Sequence, residues 1–136
     1  MFVIDHVTVP VQDYERGRRF FEQALRPLGF VVLLDWADKR RAYLGLEREP
    51  SSLWLAESRA AGTLELTLAA AGPDAVDAFH EAAVEAGGRT EWFPGLRPEY
   101  GREYYAARVV DPDGNTIEVV YRGIVAPAAR HEPVAA

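Results

Sequence analysis

A turn followed by an alternating strand, close to the carboxyl-terminal end, constrains the fold of this chain most strongly. Residues 111–115 read Asp-Pro-Asp-Gly-Asn, in which proline fixes its own φ and Gly114 and Asn115 tolerate the positive φ of a chain reversal. Residues 116–121 then alternate, with Ile, Val and Tyr on one face and Glu118 on the other. A carboxylate in such a strand is costly to bury unless something pairs with it. Glu118 therefore either faces water on an edge strand or serves as a metal ligand or catalytic group inside a curved sheet.

The composition indicates one globular domain. The chain has 136 residues, of which 49% are hydrophobic and 26% charged. Its net charge of -6 argues against nucleic acid as a partner, because nucleic-acid binding needs a basic surface. Cysteine is absent, which excludes disulfides, zinc–thiolate sites and cysteine nucleophiles. No apolar run approaches the ~20 residues of a membrane span, and the first residues do not resemble a signal peptide, so we expect a cytoplasmic protein with no membrane partner.

The order of strands and helices predicts two similar modules. The first helix begins after Asp13, a typical N-cap residue, and the second begins with Pro73, which suits the first position of a helix. One strand precedes each helix and three follow it. The predicted strands span residues 2–11, 30–35, 41–46, 52–57, 63–68, 89–93, 103–110 and 116–121, with a linker at 58–62, a loop at 94–102 and a frayed tail after Gly123.

An internal repeat relates the two modules. A shift of 59 positions places Phe20 on Phe79, as two similar strand–helix units would also do, and it places His6 on Glu65. If the two sheets face each other, His6, Glu65 and Glu118 converge from distant parts of the sequence. One imidazole and two carboxylates suit a divalent cation. The alternative is that these three polar groups lie on solvated strand faces.

Four segments resemble the vicinal oxygen chelate superfamily, which includes glyoxalase I, extradiol dioxygenases, fosfomycin-resistance proteins and bleomycin-binding proteins. They are residues 5–9 (Asp-His-Val-Thr-Val), 75–88, 94–100 and 104–118, the last of which ends in Asp-Pro-Asp-Gly-Asn-Thr-Ile-Glu. The resemblance implies an α+β fold in which two βαβββ modules pair into a curved mixed sheet around a central trough. We expect one glyoxalase-like domain at residues 1–122, made of modules 1–58 and 63–122, and a flexible tail at 123–136.

The resemblance also implies a set of metal ligands. Family members typically bind a divalent metal through a His on the first strand, a His or Gln on the fifth and a Glu on the eighth. The matching positions are His6, Glu65 and Glu118, and Glu65 departs from the pattern. We therefore expect Mn, Fe, Mg, Ni or Zn, with the two carboxylates favouring Mn, Mg or Fe. Glu65 counts against an extradiol dioxygenase, and glyoxalase I usually needs a fourth ligand, for which Glu57 is the candidate.

Aromatic residues and an arginine surround the loop before the seventh strand. We predict that this loop covers the trough, with arginine binding an anionic group and a tyrosine hydroxyl orienting the ligand. A surface loop anchored by aromatic packing is the alternative. Trp36, Trp54 and Trp92 either line a cavity for an aromatic ligand or pack in the core. The candidate substrate contacts are Arg97, Tyr100, Tyr105 and Trp54, and the candidate catalytic groups are Glu118 and Tyr104.

Two functions are consistent with these features. The first is a metal-dependent enzyme that acts on a small molecule with vicinal oxygens, as an isomerase, lyase or ring-cleaving enzyme. The second is a metal-free protein that binds a small molecule or antibiotic, as bleomycin-resistance proteins do. Convergence of the three predicted ligands on one point favours the enzyme. Side chains that fan apart, or that form salt bridges to an arginine such as Arg108, favour the binding protein. The acidic surface and the strand edges also suggest a homodimer.

Overall fold

The structure, a computed structural model, describes residues 5–48, 52–59 and 62–123. Apart from Gly123, the predicted flexible tail lies outside these residues. The order strand, helix, three strands occurs twice, which confirms the predicted α+β fold. The elements are β1 (His6–Val11), α1 (Tyr14–Ala24), β2 (Val31–Trp36), β3 (Arg41–Gly45), β4 (Ser52–Glu57), β5 (Glu65–Ala69), α2 (Pro73–Glu85), β6 (Arg89–Leu96), β7 (Tyr105–Val110) and β8 (Thr116–Tyr121).

Each module forms a four-stranded mixed sheet with the same topology. The strand order is β1-β4-β3-β2 in the first sheet and β5-β8-β7-β6 in the second. The first strand of each module runs parallel to the last one, and the other pairs are antiparallel. Each helix therefore connects the first strand of its module to the far edge of the same sheet.

The helices begin where the sequence predicts. The Asp13 side chain accepts a hydrogen bond of 3.0 Å from the backbone N–H of Arg16, which satisfies one of the free amides of the first turn of α1. Pro73 occupies the first turn of α2, where its missing N–H leaves no helical hydrogen bond unmade. The two N-termini are thus set by different local chemistry.

One hydrophobic core joins the two modules. It combines buried side chains of both helices, such as Phe20 and Phe79, with the helix-facing sides of both sheets, such as Leu55 and Ile117. Full burial of a side chain of this size contributes roughly 1.5–3 kcal/mol. The helices contact each other, and each contacts its own sheet. Each sheet therefore has one face packed against the helices and an open face on its other side.

The turn at 111–115 ties the modules together through a buried asparagine. The Asn115 side-chain oxygen accepts a hydrogen bond of 2.9 Å from the backbone N–H of Leu64. Its amide group donates to the Pro10 carbonyl and to the Asp111 carboxylate, each at 2.9 Å. A single side chain thus joins the first module to the start of β5 and to its own turn.

The sixth strand is longer than the sequence predicts. The sequence predicts an end at residue 93, but β6 continues through Pro94 to Leu96. β6 is one of the two edge strands of its sheet, and its register with β7 shifts between Trp92 and Gly95. Proline is tolerated there because an edge strand with a bulge does not need every N–H for pairing. In the part of the chain that the structure describes, neither helix is long and apolar enough to cross a membrane.

Candidate functional site

The structure places the predicted metal ligands on two different sheets. His6 lies on the open face of the first sheet, where its ring packs 5.2 Å from that of Trp54 and its Nδ1 lies 3.0 Å from the Asp5 carboxylate. Glu65 is exposed at the start of β5, and Glu118 lies in mid-β8, on the open face of the second sheet. Among residues 5–48, 52–59 and 62–123, no three His, Asp or Glu side chains come close enough to hold a metal ion. The three predicted ligands therefore do not meet within one chain.

Glu118 is buried, and neighbouring side chains occupy both of its carboxylate oxygens. Only 4% of the surface of Glu118 is exposed to solvent. Oε1 accepts hydrogen bonds from Nη2 and Nε of Arg108, at 2.7 and 3.2 Å. Oε2 accepts a hydrogen bond of 2.5 Å from the Tyr104 hydroxyl. An ion pair together with a phenol is what makes this burial of a carboxylate possible.

The two partners of Glu118 are held in the protonation states that this network needs. Burial lowers the pKa of Arg108, but its hydrogen bonds to Glu118 and Glu91 outweigh this effect and raise it. Burial and the hydrogen bond to Glu118 raise the pKa of Tyr104 to about 12. Tyr104 therefore remains a hydrogen-bond donor at neutral pH, and it is poorly suited to act as a general base.

This donor set does not fit a divalent cation. A metal ligand needs a free lone pair directed at the ion, and three hydrogen bonds already take three of the roughly four lone-pair sites of the Glu118 carboxylate. A cation on Oε1 would also face the guanidinium of Arg108, whose Nη2 lies 2.7 Å away and which stays charged in proteins. Arg108 thus occupies the position beside Glu118 that a metal ion would take in a metal site.

Aromatic rings and guanidinium groups surround this network on the open face. The guanidinium carbons of Arg97 and Arg108 lie 4.2 and 3.8 Å from the centre of the Trp92 ring. Tyr100 stacks on Trp92, with ring centres 6.0 Å apart and an interplanar angle of 27°. Tyr100 also packs 5.4 Å from Tyr104. We name this group the second-sheet cluster; its members are Trp92, Arg97, Tyr100, Tyr104, Arg108 and Glu118.

Tyr105, a predicted substrate contact, does not join the second-sheet cluster. Adjacent residues of a strand point to opposite faces, and Tyr105 turns toward the helix side of the sheet. Its hydroxyl donates a hydrogen bond of 2.6 Å to Asp77 of α2. Glu57 also has a structural partner, since it accepts a hydrogen bond of 3.0 Å from the backbone N–H of Tyr14 at the start of α1.

Trp54 belongs to a separate aromatic group on the open face of the first sheet. Its ring centre lies 5.6 Å from that of Trp36 and 5.4 Å from that of Tyr43. We name His6, Trp36, Tyr43 and Trp54 the first-sheet cluster. Sequence reasoning did not assign Tyr43, although its place opposite Trp54 on an antiparallel strand follows once the hairpin of β3 and β4 is aligned.

Comparison with known proteins agrees with this architecture. The sequence model of the Glyoxalase/Bleomycin resistance protein/Dioxygenase superfamily matches residues 3–119. A glyoxalase/bleomycin resistance protein from Albidiferax ferrireducens is similar in structure, with 29% identity and a TM-score of 0.73 over 89% of this chain and 99% of that one. A glyoxalase-related enzyme from Fulvimarina pelagi has the same fold, with 17% identity and a TM-score of 0.73 over 97% of this chain and 96% of that one.

A glyoxalase I mutant from Zea mays is also similar, with 26% identity and a TM-score of 0.64. The similarity covers 86% of this chain but 46% of the maize chain. No curated protein sequence matches the chain. The family match extends from β1 into β8 and so includes both βαβββ modules. The chain therefore belongs to the glyoxalase/bleomycin resistance protein/dioxygenase superfamily.

Proposed function

We propose that this protein binds a planar small molecule on its open sheet faces without a metal ion at Glu118, in the manner of a bleomycin-resistance type binding protein. The observation that carries the proposal is the engagement of both Glu118 oxygens by Arg108 and Tyr104. In this arrangement Arg108 and Tyr104 take three of the roughly four lone-pair sites of Glu118, so the carboxylate serves to position these two neighbours. The metal-dependent enzyme is the competing function.

The open faces offer aromatic surface to such a ligand. Tyr100 of the second-sheet cluster is 57% exposed, and Trp36 of the first-sheet cluster is 38% exposed. Large aromatic side chains that remain accessible on a sheet face favour stacking with a flat ligand. The hydrogen bonds among Tyr104, Arg108 and Glu118 hold the second-sheet cluster in place, which lowers the conformational entropy lost when a ligand binds.

We also propose that two copies of the chain form a homodimer. The two clusters lie on the open faces of two different sheets, so we treat each of them as a half-site. A second copy can place the first-sheet cluster of one chain against the second-sheet cluster of the other. A ligand between them would be enclosed on both sides, as small-molecule sites usually are.

Metal analysis together with ligand binding tests the proposed function. The protein is purified without chelator, its metal content is measured, and N-phenylnaphthylamine, a neutral fluorescent aromatic probe, is titrated with and without EDTA. We expect a substoichiometric metal content, no thermal stabilisation by Mn, Fe, Mg, Ni or Zn, and probe binding that EDTA does not change. One equivalent of metal that is lost in His6→Ala would overturn the proposal and favour the metal-dependent enzyme.

A further inference from the structure

We infer that the ligand is a planar aromatic molecule that bears an anionic oxygen group (a carboxylate, sulfonate or phosphate), and that Arg97 binds this group. The inference rests on the proposed function, because it names the class of ligand for the second-sheet cluster. The sequence alone suggests an anion contact for Arg97. The structure adds the identity of its neighbours and a difference between the two arginines of the cluster.

The two arginines on Trp92 differ in their ion pairs. Arg108 lies between two carboxylates, with Nη1 at 3.0 Å from Glu91 and Nη2 at 2.7 Å from Glu118. Arg97 forms no ion pair with any residue that the structure describes. Of the two guanidinium groups, Arg97 is therefore the one available to an external anion.

Arg97 also carries a buried donor without an acceptor. Its Nε has no hydrogen-bond partner within the described part of the chain, although the atom is shielded from water. A guanidinium N–H in this position costs free energy until an acceptor reaches it. A ligand oxyanion is such an acceptor, and the planar fork of arginine donors matches the spacing of two oxygens on one acidic group.

The neighbours of Arg97 explain why the anion should be attached to an aromatic ring. Trp92 lies 4.2 Å from the guanidinium carbon, and this contact holds the group flat against the indole. The exposed ring of Tyr100, stacked on Trp92, continues the same surface. A flat ligand can stack there while its acidic group reaches Arg97. The net charge of -6 does not attract anions at long range, so selectivity for them must come from this local contact.

A matched pair of fluorescent probes tests the inference. Anilinonaphthalene sulfonate and N-phenylnaphthylamine share the same aromatic skeleton, but only the first carries a sulfonate. We expect the wild-type protein to bind the sulfonate about tenfold more tightly, the size of effect that a charge-assisted hydrogen bond gives. Arg97→Met should abolish this preference, so that the ratio of the two affinities falls to about one. Arg97→Lys should retain part of it, and Arg19→Met, on the exposed surface of α1, should retain all of it.

The outcomes separate this inference from the proposed function. If both probes bind the wild-type protein equally well, or if Arg97→Met keeps the preference for the sulfonate, the inference is wrong and the proposed function stands. If neither probe binds the wild-type protein, both fail. Binding of the neutral probe to Arg97→Met also verifies that this variant is folded, so a loss of sulfonate binding alone reports on the charge.

Discussion

The guanidinium of Arg108 and the carboxylate of Glu118 face each other across β7 and β8 and share two hydrogen bonds, of 2.7 and 3.2 Å. The Glu118 side chain is 6% exposed and that of Arg108 22%. The pair occupies the position on the last strand where the family resemblance implies a metal ligand. The pair joins β7 to β8 and also belongs to the second-sheet cluster, so it contributes both to the stability of the sheet and to the charge on its open face.

The first prediction concerns the energetics of this pair. Arg108→Met leaves Glu118 as a buried charge with only Tyr104 as partner, so we expect the free energy of unfolding to fall by about 3 kcal/mol. Adding Glu118→Gln removes the unpaired charge and should recover about 1 kcal/mol or more, because a neutral amide is easier to bury. Urea denaturation of both variants measures the difference.

An exposed ion pair provides the control for this comparison. Arg40 is 56% exposed and its Nε lies 3.5 Å from Glu57. We expect Arg40→Met to change the free energy of unfolding by less than about 1 kcal/mol. A double variant no more stable than Arg108→Met alone would show that the charge on Glu118 is not what makes the loss of Arg108 costly.

Simple counting along the sequence could have predicted the pairing of Arg108 with Glu118. The turn at 111–115 is flanked by Val110 and Thr116, which are cross-strand partners. Two further steps outward on each strand lead to Arg108 and Glu118. Local rules of alternation and turn chemistry therefore suffice for this contact.

The separation of the predicted metal ligands could not be predicted in the same way. Alternation correctly assigns His6 and Glu118 to the polar faces of their strands. It does not say whether the two polar faces of one chain point toward each other or apart. That depends on how α1 packs against α2, which is a non-local contact between two apolar helix stripes. The site predicted from the sequence includes both Tyr104 and Tyr105, although alternation directs adjacent side chains of an extended segment to opposite faces.

The second prediction concerns alkaline pH. The pKa of Tyr104 is raised from 10.0 to about 12, by burial first and then by its hydrogen bond to Glu118. Between these two values the unfolded chain has lost the phenolic proton and the folded chain has kept it. This contribution to stability is complete below pH 10 and is lost as the pH rises toward about 12.

Tyr104→Phe tests this dependence. The variant lacks the titrating group, so its free energy of unfolding should fall less steeply than that of the wild type over the same pH interval. Urea denaturation at several pH values in this interval measures both slopes. Equal slopes would mean that the Tyr104 hydroxyl is not held protonated by its surroundings.

The third prediction concerns the hydrogen bonds by which the Asn115 side chain links the two modules. Asn115→Ala leaves the Leu64 N–H and the Pro10 carbonyl without the partners that Asn115 supplies. Each unsatisfied buried group costs about 1–3 kcal/mol, so we expect a total loss near 3 kcal/mol in urea denaturation. Thr63→Ala, at an exposed position beside Leu64, is the control and should be nearly neutral. Similar free energies of unfolding for the two variants would show that the Asn115 hydrogen bonds do not stabilise the contact between the modules.

The fourth prediction concerns close packing behind the second sheet. A Cβ added at Gly88 would lie 2.5 Å from Cγ1 of Val109 and 2.9 Å from the Ala83 carbonyl oxygen. Gly88→Ala should therefore destabilise the fold by about 1–3 kcal/mol. At Gly95 the nearest atom to an added Cβ would be the Phe93 carbonyl oxygen, at 3.9 Å, so Gly95→Ala should cost clearly less. Thermal or urea unfolding of the two variants makes the comparison, and equal losses would contradict it.

The last prediction tests the proposed homodimer and its interface. Light scattering after size-exclusion chromatography should give the mass of two chains for the wild type. Trp36 belongs to the first-sheet cluster and is exposed in the single chain, so Trp36→Ser should weaken the dimer without unfolding the monomer. Phe93, on β6, is 70% exposed and lies outside both clusters, so Phe93→Ser is the matched aromatic control and should remain dimeric. Loss of an aromatic ring weakens an interface only where that ring is buried in it. A dimer that persists in Trp36→Ser but dissociates in Phe93→Ser would therefore place the interface at β6, at an edge of the second sheet.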